Sequence, residues 1–154
     1  MQKEMEPRKI PLPFSRPLIH SILQGGGTVV LKSGQFVSGG LYLKSNVLLE
    51  IEISAELKAS GDITDYGTDT RHNRYRNEET LDRCFLYAED AENIGITGLG
   101  RIDGNGEAFP NEGSIYRPML LRFLRCSNIY IERIRLYALS FWKGCDGKSA
   151  FWWN

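Results

Sequence analysis

From Thr28 onward the apolar residues fall in short runs that keep no helical period and are separated by Gly, Ser and Asn. This patterning predicts strands at 28–31, 35–37, 40–43, 47–53 and 57–59, then at 84–88, 94–97, 100–103, 119–124, 129–132 and 134–137. Glu50-Ile51-Glu52-Ile53 alternates, so one face of its strand is expected to be wet and the other buried. Three of the runs open on asparagine: Asn46-Val47-Leu48-Leu49, Asn93-Ile94-Gly95-Ile96 and Asn128-Ile129-Tyr130-Ile131. The spacings, 47 and then 35 residues, are too irregular for a strict repeat. They fit stacked coils with loops of unequal length between them. An asparagine at the same place in each coil has a physical use: it tolerates the left-handed conformation and can hydrogen-bond to the asparagine stacked above it.

Two segments interrupt the strands. Residues 61–83 and 104–117 are rich in polar and turn-forming types, and loops of such length in a compact domain usually carry function. Strands without intervening helices exclude a doubly wound α/β fold. Hairpin signals between alternating runs are scarce, which disfavours a sandwich. The residues point to an all-β chain, a right-handed parallel β-helix.

Ahead of the strands, residues 1–14 are polar and marked by Pro7, Pro11 and Pro13, so they read as an extended arm. A short capping helix is expected over 15–24. Ser15 would be its N-cap, Pro17 sits in its first turn, Leu18, Ile19, Ile22 and Leu23 form one apolar face, and Gly25-Gly26-Gly27 stops it.

Composition narrows the function classes. The 19 basic and 19 acidic residues balance, without a basic stripe for nucleic acid. No run is long enough to cross a bilayer, and the first nine residues show no secretory signal. Cys84, Cys126 and Cys145 have no metal-type spacing, so reduced cysteines, no metal and a leaning towards the cytoplasm are expected.

Gly98-Leu99-Gly100-Arg101-Ile102-Asp103-Gly104-Asn105-Gly106 is the densest motif. Its third glycine falls one place late for a dinucleotide fingerprint and no helix pattern follows, so tight corners between coils are the better use of these glycines. With Gly25-Gly26-Gly27-Thr28-Val29-Val30-Leu31, Gly39 to Val47, and Arg117-Pro118-Met119-Leu120-Leu121-Arg122-Phe123 followed by Ser127-Asn128-Ile129, it resembles glycoside hydrolase family 28, the polygalacturonase-like pectin hydrolases. The resemblance covers roughly residues 15–141. It implies a pectin-lyase-like solenoid with an N-terminal capping helix, hydrolysis of galacturonide bonds by paired carboxylates, and no cofactor.

The family's catalytic groups lie in an Asn-x-Asp element and an Asp-Asp pair, followed by Gly-His-Gly and Arg-x-Lys elements, and none of these occurs in this sequence. The resemblance therefore assigns no catalytic residue here. The expectation is one partial β-helix domain over 15–154, truncated at its C-terminal end, with coils over about 28–142 and an atypical tail over 143–154. It would be inactive alone and prone to self-association through an uncapped last coil. A non-catalytic carbohydrate-binding or assembly module is the alternative, and a gene remnant a third reading. Arg71, His72, Arg74, Tyr75 and Arg76 form a local cluster in the first long loop. Guanidinium groups grip carboxylates and Tyr75 can stack on a sugar, so these are the candidate contacts for a uronate-containing saccharide. Read blandly, their charges meet Asp69, Glu78 and Glu79. Glu89, Asp90 and Glu92 read as a solvated coil corner.

Overall fold

The computed structural model describes residues 26–71, 83–109 and 118–137. The capping helix expected over 15–24 and the tail over 143–154 lie outside the described residues. Among the described residues nine strands follow one another: β1 (Gly27–Ser38), β2 (Leu41–Tyr42), β3 (Val47–Ala59), β4 (Cys84–Glu89), β5 (Glu92–Thr97), β6 (Arg101–Asp103), β7 (Met119–Leu124), β8 (Ser127–Glu132) and β9 (Arg135–Tyr137). Every pairing between them is parallel. Among the described residues the only helical pieces are single 3₁₀ turns at Ile63–Asp65 and Gly106–Ala108.

The pairings define a coil with three faces. The first half of β3 pairs with β5, which pairs with β8; its second half pairs with β6, which pairs with β9. β1 runs along the whole of β3, and β2, β4 and β7 form a separate sheet. Side chains pointing inward at the same register stack into columns, one per face: Val29–Leu49–Ile96–Ile131, Phe36–Leu57–Ile102–Leu136 and Leu41–Leu86–Leu121. Leu49, Ile96, Leu57, Ile102, Leu41 and Leu86 are essentially sealed from solvent. Each such side chain contributes about 1.5–3 kcal/mol of burial. The columns give the parallel register its driving force, because slipping one residue would turn each column outward.

The two faces lined by β1 and β3 were expected as separate strands and are instead continuous. The register shifts between Leu31 and Ser33, where β3 holds one residue more than β1. That surplus bends the strand and turns Ile53 out, 68% exposed beside a fully buried Ile51. The alternation read in Glu50–Ile53 therefore fails at its last residue. One coil later the same corner is a complete break at Gly98-Leu99-Gly100. Gly98 has φ 117°, and a Cβ there would sit 2.0 Å from the Ile51 carbonyl oxygen. Only glycine fits that contact.

The asparagines mark a second corner. Asn46, Asn93 and Asn128 have φ of 63°, 56° and 52°. Asn93 Nδ2 donates to Asn46 Oδ1 at 2.8 Å, and Asn128 Nδ2 donates to Asn93 Oδ1 at 2.6 Å. The side-chain ladder runs parallel to the backbone ladder and holds the coils in phase.

Both long loops leave from the third corner, after the second face and before the β2–β4–β7 sheet. Their bases pack together: Tyr66 and Phe109 meet edge-on with centroids 6.4 Å apart, and Asn105 Nδ2 donates to the Ala59 carbonyl at 3.1 Å. The Tyr66 hydroxyl donates to the Ser60 carbonyl at 2.6 Å, and Arg83 Nη1 donates to the Ile63 carbonyl at 2.5 Å. The first loop is thereby tied down at both of its described ends.

Candidate functional site

The outer surface of the β2–β4–β7 sheet carries an open concavity. Tyr42, Tyr87 and Arg122 occupy one register position in successive coils. The two tyrosine rings meet edge-on with centroids 5.6 Å apart, and the Arg122 guanidinium lies 6.0 Å from the Tyr87 ring. Residues 69–71 of the first loop reach this face. The Tyr42 hydroxyl donates to Asp69 Oδ1 at 2.5 Å, and the Arg71 backbone N–H donates to the Tyr87 hydroxyl at 3.0 Å. Strand β4 is buried from Cys84 to Ala88 without interruption, because its outward residues lie under other groups while its inward ones face the core.

Between strand and loop lies an open cleft of about 270 Å³, lined by Tyr42, Lys44, Asp69, Tyr87, Glu89 and Asp90 among others. On the other side of the Tyr42–Asp69 contact is a hollow of about 240 Å³ whose floor is Gly39 and Gly40. A Cβ on Gly39 would lie 2.0 Å from the Asp65 carbonyl oxygen, so the loop approaches the strand end as closely as it does only because that residue is glycine.

The electrostatics of the cleft are fixed by paired groups. Arg71 Nε donates to Glu89 Oε1 at 2.5 Å, and Tyr87 donates to Glu89 Oε2 at 2.5 Å. Arg125 bridges Glu89 at 2.8 Å and grips both oxygens of Asp90. Asp90 and Arg125 carry φ of 50° and 49°, and the Asp90 N–H donates to the Leu124 carbonyl, so they mark the same corner of adjacent coils. The hydrogen bonds from Tyr87 and Arg71 hold the Glu89 carboxyl below its ordinary range, and Arg125 does the same for Asp90. Burial, reinforced by the hydrogen bond to Glu89, pushes the Tyr87 phenol up to about 12. Burial and Asp69 raise Tyr42 further. Across the physiological range Glu89 and Asp90 are therefore ionised and the phenols of Tyr42 and Tyr87 neutral. A glycosidase general acid needs a carboxyl held above its ordinary value; Glu89 and Asp90 are held below it.

Of the residues singled out in the first loop, Arg71 is placed beside the cleft, where its guanidinium meets Glu89; Glu78 and Glu79 lie outside the described residues. His72, Arg74, Tyr75 and Arg76 lie outside the described residues. Glu89 and Asp90 do form a coil corner, but one fastened by two arginines. At Glu92 the backbone N–H donates to Ser45 Oγ at 3.1 Å. Tyr42, Lys44 and Tyr87 were not singled out from the sequence, and Asp69 was named only as a neutralising acid. The available signal was an aromatic at the outward position of two apolar strands, Leu41-Tyr42-Leu43 and Leu86-Tyr87-Ala88. Cys84 and Cys126 are free thiols, Cys145 lies outside the described residues, and burial pushes Cys84 up to about 12. Among the described residues no cluster of His, Cys, Asp and Glu could hold a metal ion.

Comparison with solved structures places this architecture. A protein of Parabacteroides merdae assigned as a glycosyl hydrolase matches with a TM-score of 0.62 and 28% identity, over 79% of this chain and 55% of the other. The polygalacturonase of Erwinia carotovora matches with a TM-score of 0.65 and 21% identity, over 84% of this chain and 40% of the other. The fold is polygalacturonase-like. It is a right-handed parallel β-helix, as the strand pattern predicts. The family 28 exopolygalacturonase of Yersinia enterocolitica shares it, with a TM-score of 0.60 and 18% identity over 80% of this chain and 31% of its own. The chain thus spans between about a third and just over a half of these polygalacturonase-like structures. No family model and no curated protein matches the sequence.

Proposed function

We propose that these residues form the early coils of a glycoside hydrolase acting on pectic galacturonide chains, and that they bind the polymer without cleaving it. The observation that carries this reading is the shared coil architecture, at 28% identity, with the Parabacteroides merdae protein assigned as a glycosyl hydrolase, alongside two polygalacturonases of the same fold. The absence of Asn-x-Asp and Asp-Asp elements from the 154 residues argues that catalysis needs groups this sequence does not contain. Arg71, His72, Arg74, Tyr75 and Arg76 are proposed to meet uronate carboxylates and a sugar face, by bidentate guanidinium contacts and stacking.

The alternative, a non-catalytic carbohydrate-binding or assembly module, draws on the downward-held carboxyls of Glu89 and Asp90, which suit ligation rather than proton donation. Incubation with polygalacturonate, followed by reducing-end release and by affinity electrophoresis, tests both. The expected result is retarded migration and no new reducing ends. Hydrolysis would contradict the assignment of catalysis elsewhere; unretarded migration would contradict polymer binding.

A further inference from the structure

We infer that Tyr87, Arg71 and Arg125 form a carboxylate-binding fork that Glu89 fills in the free chain, and that a uronate carboxylate enters it by displacing Glu89. The inference deepens the reading above and rests on it for the identity of the ligand. Three donors from separate parts of the chain converge on this one carboxyl. Arg71 Nε, from the first loop, and Arg125 Nη2, from the corner after β7, both reach Oε1, at 2.5 and 2.8 Å. The Tyr87 hydroxyl, on β4, donates to Oε2 at 2.5 Å. Donors so arranged favour an ionised carboxylate, and Tyr87, Arg71 and Arg125 together hold Glu89 below its ordinary range.

Each donor is also fixed by a contact that does not involve Glu89. The Arg71 backbone N–H donates to the Tyr87 hydroxyl at 3.0 Å, Arg125 Nε donates to Asp90 Oδ1 at 2.5 Å, and the Tyr87 ring packs edge-on against Tyr42. Glu89 is the exchangeable member. Its side chain lines the open cleft and is 22% exposed, and those of Arg71 and Arg125 are 51% and 48% exposed. Ion pairs so exposed contribute little, so a carboxylate from solution can replace Glu89 at small cost. Around the cleft Lys44, Arg71 and Arg125 balance Asp69, Glu89 and Asp90. A uronate that takes the place of Glu89 in the fork meets the donors and the charge that Glu89 met. A tethered carboxylate competes at high effective concentration, so Glu89 weakens every free carboxylate that shares its donors.

The test uses the full 154-residue chain, uniformly labelled, and its Glu89→Gln variant. Each is titrated at neutral pH with α-1,4-tetragalacturonate and, as a neutral control, β-1,4-galactotetraose. The substitution keeps an acceptor for Tyr87 and removes the competing charge. Tetragalacturonate should shift the Nε signals of Arg71 and Arg125 in both proteins, and should bind the variant about threefold to tenfold more tightly. The neutral tetraose should show no such gain, and adding Arg125→Gln should abolish it. In the unsubstituted chain the Glu89 carboxyl carbon should shift together with the two arginines. Unchanged, weaker or absent uronate binding in Glu89→Gln, which a purely structural ion-pair network implies, would overturn the fork. A Glu89 signal that stays put while tetragalacturonate binds would overturn it as well, and retardation by polygalacturonate would then leave the pectic reading standing on other contacts. The predicted gain with tetragalacturonate, but no retardation of the unsubstituted chain by polygalacturonate, would keep the fork and remove the polymer reading.

Discussion

Asn93 donates its side-chain amide to Asn46 at 2.8 Å and accepts that of Asn128 at 2.6 Å, so one residue joins three coils. Its φ of 56° would cost an ordinary L-residue about 1–2 kcal/mol. Asn93→Ala therefore loses two hydrogen bonds and keeps the strained backbone. Asn93→Gly loses the same bonds with the strain relieved. Urea unfolding should show Ala destabilised by about 2–3 kcal/mol and Gly by about 1 kcal/mol less. Equal losses would mean that the left-handed corner is not what the asparagine serves.

Gly98 faces a harder constraint. With φ 117° and the Ile51 carbonyl 2.0 Å from where a Cβ would be, Gly98→Ala must move β3 or open the corner. A loss of about 3 kcal/mol or more is expected from strain and overpacking together. A thermal midpoint within a degree of the parent would show that the turn is built differently.

The creased strand β3 makes a paired prediction. Ile51 is fully buried and Ile53 is 68% exposed, two residues apart in an apparently regular alternation. Ile51→Ala should cost about 2–5 kcal/mol, and Ile53→Ser should stay within about 0.5 kcal/mol. Denaturant midpoints of the two variants decide it; similar losses would restore the flat strand that the alternation alone implies.

Much of the architecture was legible because it depends on local chemistry. The asparagines before Val47, Ile94 and Ile129 announced the corner that they occupy, and the glycines at 98 and 100 announced the break between β5 and β6. The crease at Ile53 was not legible, since it arises from a one-residue mismatch with β1, and alternation within one strand carries no trace of its partner's register. The cleft was hidden for a related reason. Tyr42 and Tyr87 lie 45 positions apart, and Asp69 reaches Tyr42 from a loop, so the group exists only once the coils stack. Arg71 was singled out for its charge, but its engagement with Glu89 depends on where the loop crosses β4.

The carboxyl pairs give a pH signature. Glu56 is held below its ordinary range by the Gln35 amide and by Arg101, Glu89 by Tyr87 and Arg71, and Asp90 by Arg125. A lowered folded-state pKa means stability that is fully present above the unfolded value, about 4, and lost as pH falls through the folded values. Unfolding free energy should be flat from neutral pH down to about 5 and should decline below about 4. The decline should shrink in high salt, because the arginine partners Arg71, Arg101 and Arg125 are exposed. A loss on raising the pH from 5 to 7 would contradict the pairing.

The most direct test of the coiled architecture is a set of nuclear Overhauser contacts on the uniformly labelled chain. The account predicts contacts between the side-chain amides of Asn46 and Asn93 and of Asn93 and Asn128. It also predicts contacts between the Leu49 and Ile96 methyls and between those of Leu86 and Leu121, with parallel-strand backbone patterns throughout. Antiparallel patterns between consecutive strands, with the three asparagines out of contact, would contradict it.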